Sequence, residues 1–259
     1  MVVEEHAKLS SRLVYEIIRR NGVEELKRPA KSLVYSGITA GIVISFSFVF
    51  KAILTAYLPQ TQAWSYLIVN MGYAAGFILV ILGPMQLFTE NTISTVVPLF
   101  NPFEWSKLKA LLRLWGIVFA SNIIGTAIAA AFLLNQQLFE PKVVTALNDI
   151  AHHLSQETAL QNLIKGIPAG ILIASLVWLL PSTQNKLLLI FLLTYLMSLG
   201  GFAHVIVGSS EMLFALYQHQ ISLEQYLFQF LLPTALGNIS GGTGVFTLLI
   251  YGQVTEELE

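Results

Sequence analysis

Two interruptions of otherwise apolar sequence decide how this chain reads: Leu87-Phe88-Thr89-Glu90-Asn91-Thr92 and Gly200-Gly201-Phe202-Ala203-His204. The first follows Pro84 in a run that is mostly apolar from about 66 to 100, and the second divides a run from about 187 to 217. Each run is long enough to cross a bilayer, for which about 20 helical residues suffice. A Pro, a Glu, a Gly-Gly pair and a His at membrane depth are costly in lipid unless they line a cavity or pack within protein. Both runs therefore read as broken helices.

Working outward, four more apolar runs lie at about 33 to 57, 107 to 134, 160 to 180 and 225 to 252, so six spans are expected. The composition agrees: 55% of the 259 residues are hydrophobic and only 11% charged, whereas a soluble domain carries about a quarter of its residues as charges. Twelve of the 29 charges fall in the first 31 residues and three in the last four. The charge-poor middle excludes a nucleic-acid binder, which needs a basic patch, and excludes disorder. Without cysteine there is no disulfide or thiolate metal site, and no His or Asp stands at ligand spacing from His204 on the spans, so neither metal nor cofactor is expected.

The organisation that follows is an N-terminal segment over 1–30, a membrane domain over 31–252 and a short tail over 253–259. Met1 to Arg20 is polar and charged, with no apolar signal-peptide core; within it, Glu4 to Arg20 carries a second pattern. Its Leu9, Leu13, Val14, Ile17 and Ile18 recur at helical spacing, predicting an amphipathic helix on the membrane surface or against the bundle. With both termini cytoplasmic, eleven Lys and Arg fall on inner segments and three, Lys51, Lys142 and Lys165, on outer loops, which is the bias cytoplasmic retention of positive charge produces. His152 and His153 are expected in a polar outer loop, solvated.

The halves, about 31–134 and 160–252, resemble each other weakly. Gly37-Ile38-Thr39-Ala40-Gly41-Ile42 parallels Gly166-Ile167-Pro168-Ala169-Gly170-Ile171, and Asn122-Ile123-Ile124-Gly125 parallels Asn238-Ile239-Ser240-Gly241. Three spans per half makes the second half enter from the opposite side, an inverted 3+3 repeat, and interrupted helices at matching places point to a transport site near the midplane. Asn122 and Gly125, with Asn238 and Gly241, read as helix-packing residues that support the breaks. Phe46, Phe48, Phe50, Phe228 and Phe230 are expected to face lipid or neighbouring subunits.

At Leu87-Phe88-Thr89, Gly201-Phe202-Ala203-His204 and Gly237-Asn238-Ile239-Ser240-Gly241-Gly242 the sequence resembles the formate/nitrite transporter family, from about Lys31 to Gly252. The resemblance implies an all-α, aquaporin-like protomer in a homopentamer in the bacterial inner membrane, passing formate, nitrite, hydrosulfide or a similar monovalent anion with a proton. It also implies that His204 and Thr89 face each other in a chamber between two apolar constrictions. Leu87 and Phe88 belong to one; Tyr73, Phe77 and Met197 to the other; Ile173 faces the pore and Phe202 contributes to its narrowing. Family members often carry an acidic residue before the His, an Asn four residues after it and an Asn on the fourth span, where this chain has Ala203, Gly208 and Gly170. Glu90 and Glu211 are further polar candidates for the path. Two other readings are a pore for small neutral solutes such as water, glycerol or urea, and an intramembrane enzyme using His204 and Glu211, against which stands the lack of ligand spacing or a nucleophile motif.

Overall fold

The computed structural model describes residues 9–256 apart from Asn101 and Gln136, and among these every regular element is helical. In chain order the helices are α1 (Ser11–Leu26), α2 (Ala30–Ile44), α3 (Phe46–Tyr57), α4 (Ala63–Val69), α5 (Ala74–Leu82), α6 (Phe88–Ser94), α7 (Trp105–Leu133), α8 (Pro141–Ser155), α9 (Ala159–Leu179), α10 (Lys186–Leu199), α11 (Val205–Tyr217), α12 (Leu232–Ile239) and α13 (Leu248–Glu256). A 3-10 turn, Asn70–Tyr73, joins α4 to α5, and wider π-helical turns, Gln225–Leu231 and Ser240–Thr247, flank α12.

Among the described residues, four stretches are long and apolar enough to cross a membrane: Ala30–Tyr57, Ala63–Leu82, Trp105–Leu133 and Ala159–Ser182. The fifth expected run divides into α10 and α11, and the sixth is helical throughout from Gln225 to Glu256. The chain leaves helix at Gly83 and re-enters it at Phe88, and leaves again after Leu199 until Val205. Within the first span, α2 and α3 meet at Ser45, whose hydroxyl donates to the Gly41 carbonyl at 2.9 Å, a back-bond that commonly bends helices.

Small residues set the packing. A Cβ on Gly41 would meet the Asn122 carbonyl and, at 2.8 Å, the Gly125 Cα; a Cβ on Gly166 would meet the Gly237 Cα at 3.1 Å. Thus α2 lies against α7, and α9 against α12, at backbone contact, as small-residue interfaces permit. Position 170 has no room for a side chain: a Cβ there would strike the carbonyl of Asn238.

Three expectations are corrected. Residues 141–155 form α8 rather than a polar loop, with Val143, Ala146, Leu147 and Ala151 buried against α3 and α11, and Pro141 at its first turn, where a missing N–H costs nothing. Exposed His152 and His153 lie in its last turn. Lys51, Lys142 and Lys165 belong to helices α3, α8 and α9, not to outer loops. Phe48 and Phe230 are fully buried while Phe46, Phe50 and Phe228 are exposed, because residues two apart on a helix point to nearly opposite faces. Phe48 packs edge-on against Phe214 at 5.7 Å, and the Phe230 ring fills the space above Gly208 that a Cβ would need.

Helix α1 is capped by Ser10 and buries Val14, Ile18, Gly22 and Leu26, each four residues apart. Leu13, expected on the apolar stripe, is 47% exposed, and the helix runs on past Arg20; residues 4–8 of the expected helix lie outside the described residues. A Cβ on Gly22 would meet the Ser94 carbonyl and Pro98, so α1 rests on the segment after the first break. On its outer side, hydrogen bonds from Arg19 and Arg20, both at 2.7 Å, hold the Glu16 carboxyl down to about 2.

Candidate functional site

The second break is a helix stop built from glycine. Gly201 takes φ +64°, which a Cβ would penalise, and places two bonds that close α10: Phe202 N–H to the Met197 carbonyl and Gly201 N–H to the Ser198 carbonyl, both at 3.0 Å. This is a Schellman ending, with the orphan carbonyls of the last turn satisfied. Extended backbone at His204 then starts α11, and the His204 side chain caps it, Nδ1 accepting from the Val207 N–H at 3.2 Å.

Two asparagines hold the two breaks in the same way. Asn122 Oδ1 accepts from the Phe88 N–H at 2.9 Å while its Nδ2 donates to the Gln86 and Gly37 carbonyls, both at 2.8 Å. Asn238 Oδ1 accepts from the Val205 N–H at 3.0 Å while its Nδ2 donates to the Ala203 and Gly166 carbonyls at 2.8 and 2.9 Å. Each Asn thus takes a loop N–H, a loop carbonyl two residues earlier and a glycine carbonyl on the helix packed beside it. These bonds satisfy backbone groups that have no water to turn to.

Between the breaks, Thr89 Oγ1 and His204 Nε2 lie 2.8 Å apart, both almost fully buried. Because Nδ1 accepts from Val207, the proton of the neutral ring is assigned to Nε2, which donates to Thr89. The Phe77 ring stands edge-on to His204 at 4.9 Å, with Tyr73 5.5 Å beyond it.

A cavity of about 410 Å³ reaches His204 and is lined by Tyr73, Phe202, Ala203, Gly208, Glu211 and Lys51, with Asp149, His153, Glu157 and Lys165 among its other walls. Of the other expected residues, Leu87, Ile173 and Met197 are buried outside its walls, and Phe88 is directed onto Phe119 and Trp115 at 4.8 and 5.6 Å. Glu90 is not among the cavity walls; it is within electrostatic reach of Glu25, and its Oε1 finds no hydrogen-bond partner among the described residues. Glu211 lines the cavity two turns along α11 from His204.

Lys51 escaped the sequence reading as a site residue although it stands inside an apolar run, where an ionisable side chain by default marks function. Gln86 was also missed: it donates to Glu25 on α1 at 2.8 Å and accepts from Asn91, tying α1 to the first break. Among the described residues no group of three His, Asp or Glu is placed to hold a metal ion.

Helices long and apolar enough to cross a bilayer, with two breaks in helix that meet at one polar contact, belong to a multi-pass membrane protein of the transport class. Residues 12–252 match the model of the Formate/nitrite transporter family, and the chain belongs to that family. It is 36% identical over 246 residues to inner membrane protein YfdC of Escherichia coli (strain K12), covering 95% of this chain and 79% of that protein. Among solved structures it is similar to a pentameric formate channel with formate bound (TM-score 0.74, 22% identity, 88% of this chain and 98% of the other). It is also similar to an FNT family ion channel (TM-score 0.79, 15% identity, 93% and 98%). The family is one of transport channels rather than enzymes.

Proposed function

We propose that this chain forms a pore in the bacterial inner membrane, both termini cytoplasmic, that passes a small monovalent anion such as formate, nitrite or hydrosulfide together with a proton. Its six spans form two inverted halves of three, assembled as a homopentamer. The matched bonding of Asn122 and Asn238 supports the repeat, and the pentameric neighbour supports the assembly. The observation that carries the reading is the 2.8 Å contact of Thr89 with His204 at the meeting of the two breaks.

A bare anion loses its hydration on entering an apolar constriction, at a cost of many kcal/mol, whereas its conjugate acid does not carry that charge. At His204 the substrate exchanges water for Nε2–H and the Thr89 hydroxyl. It crosses the apolar residues as the neutral acid and gives up the proton beyond them. Tyr73, Phe77, Met197 and Phe202 narrow one side of the chamber, Leu87 and Phe88 the other, and Ile173 faces the path. The test is uptake of formate, nitrite, hydrosulfide, acetate and lactate into proteoliposomes at two external pH values. Uptake of the smaller anions that rises as pH falls supports the reading; no flux of any of them refutes it.

One observation favours a second reading, a pore for small neutral solutes. The cavity walls carry both signs, Lys51 with Glu211 and Lys165 paired to Glu157 at 2.6 Å, rather than an excess of positive charge. Glycerol or urea flux that is unaffected by His204→Asn, with no anion flux, would establish it.

A further inference from the structure

Lys51 and Glu211 are ionisable side chains on different helices, α3 and α11, that line the cavity above His204. Among the described residues neither makes an ion pair or a hydrogen bond. The Lys51 ammonium lies 5.7 Å from the centre of the Tyr73 ring, and Glu211, 7% exposed, is within electrostatic reach of both Lys51 and Tyr73. Lys165, by contrast, is neutralised by Glu157 at 2.6 Å. Buried charges are ordinarily paired and hydrogen-bonded. A carboxyl group and an amine held in one cavity but apart from each other leave room for a third party between them.

The proton that accompanies the substrate also needs a source, and His204 is poorly placed to be the only one. Its Nδ1 is occupied as the cap of α11, so Nε2 is the one ring atom that faces Thr89. A proton delivered from Nε2 has to be restored through that same atom. We propose that Glu211 is the outer proton donor to the transported anion and that Lys51 holds the carboxylate that remains. This rests on the anion-with-proton reading above and names the donor for it.

In the step, the O–H bond of the Glu211 carboxyl breaks and a new bond to hydrogen forms on the anion, which becomes its neutral conjugate acid. The electron pair stays on Glu211 as a carboxylate facing the Lys51 ammonium. The acid moves on about 10 Å, the rise of two helical turns, to His204 and Thr89. A hydronium ion from the external medium gives its proton to the carboxylate and leaves as water, which restores the carboxyl. The other titratable groups around Glu211 are accounted for. Tyr73 lies against Lys51; Asp149 and His153 on α8 and the Glu157–Lys165 pair are further cavity walls; and Tyr226, from the helix that follows α11, donates to Ser209 at 3.2 Å.

The experiment is formate and nitrite uptake by the full-length protein in proteoliposomes of known orientation, across external pH, for wild type, Glu211→Gln, Glu211→Asp, Lys51→Met and the double variant Lys51→Met/Glu211→Gln. Loss of a general acid should lower uptake by Glu211→Gln about a hundredfold at neutral external pH. That loss should shrink as the medium is acidified and the substrate arrives already protonated. Glu211→Asp keeps the pH dependence, and Lys51→Met adds no further loss to Glu211→Gln. A wild-type pH profile in Glu211→Gln overturns the proposal, as does equal loss at every pH with the oligomer intact, since that is a structural effect. If wild type itself carries neither anion, the underlying reading has failed and the donor role fails with it.

Discussion

Replacing Asn238 by Ala removes three hydrogen bonds from a place water does not reach: the Val205 N–H, the Ala203 carbonyl and the Gly166 carbonyl lose their partner. A buried donor or acceptor left unsatisfied costs about 1–3 kcal/mol. Discounting Gly166, whose carbonyl lies within α9, the Val205 and Ala203 groups together give about 2–6 kcal/mol. Asn122→Ala strands the corresponding Phe88 N–H and Gln86 carbonyl, so the same arithmetic gives the same range. The two ties meet through the Thr89–His204 contact, so the double variant should depart from the sum of the two losses. Reversible unfolding in mixed detergent micelles measures each loss, and formate uptake by the folded fraction should fall in both, because both release a break. A loss below about 1 kcal/mol in either variant refutes the assignment of the asparagines as the ties of the two breaks.

Other outcomes follow from the packing and from the surface charges. Gly170→Ala drives a Cβ into the Asn238 carbonyl and should destabilise by at least the ~1–3 kcal/mol typical of overpacking, whereas Gly116→Ala, with open space around it in helix α7, should stabilise by about 0.5–1 kcal/mol; paired unfolding curves distinguish them. The Glu16 carboxyl, lowered from 4.5 to about 2 by Arg19 and Arg20, stabilises the folded state above pH 4.5, and this contribution is lost as pH falls towards 2. The difference in thermal midpoint between wild type and Glu16→Gln should therefore be present near neutral pH, shrink over that acidic window and weaken in high salt, because the pair is exposed.

Much of this architecture is legible in the residues themselves. Long apolar runs identify spans because the bilayer sets their length, and Gly200-Gly201 announces a helix stop because Gly201 must turn left-handed. The pairing of Asn122 with Asn238 also shows in sequence, since the same residue type recurs before small residues at corresponding places. What each Asn bonds to does not show, because the loop groups it satisfies lie 34 to 36 residues away in the first half and 33 to 35 in the second. Helix α8 was obscured because Asp149, His152 and His153 share its sequence with Val143, Ala146, Leu147 and Ala151, and a solvated half-face reads as loop unless the four-residue spacing is counted. Lys51 reads as a loop residue because positive charge is used to mark span ends, yet its long side chain lines the cavity from within α3.

The central claim is that His204, held against Thr89 at the meeting of two helix breaks, is where a small anion takes its path across the membrane with a proton. The most direct measurement follows internal pH and labelled formate together in proteoliposomes containing wild type or His204→Asn. Asn retains an oxygen able to cap Val207, so the oligomer should stay intact. The account predicts that wild type brings in a proton with each formate and that the variant loses pH-dependent uptake of both. Uptake by the variant at the wild-type rate, in vesicles of verified orientation, would contradict it.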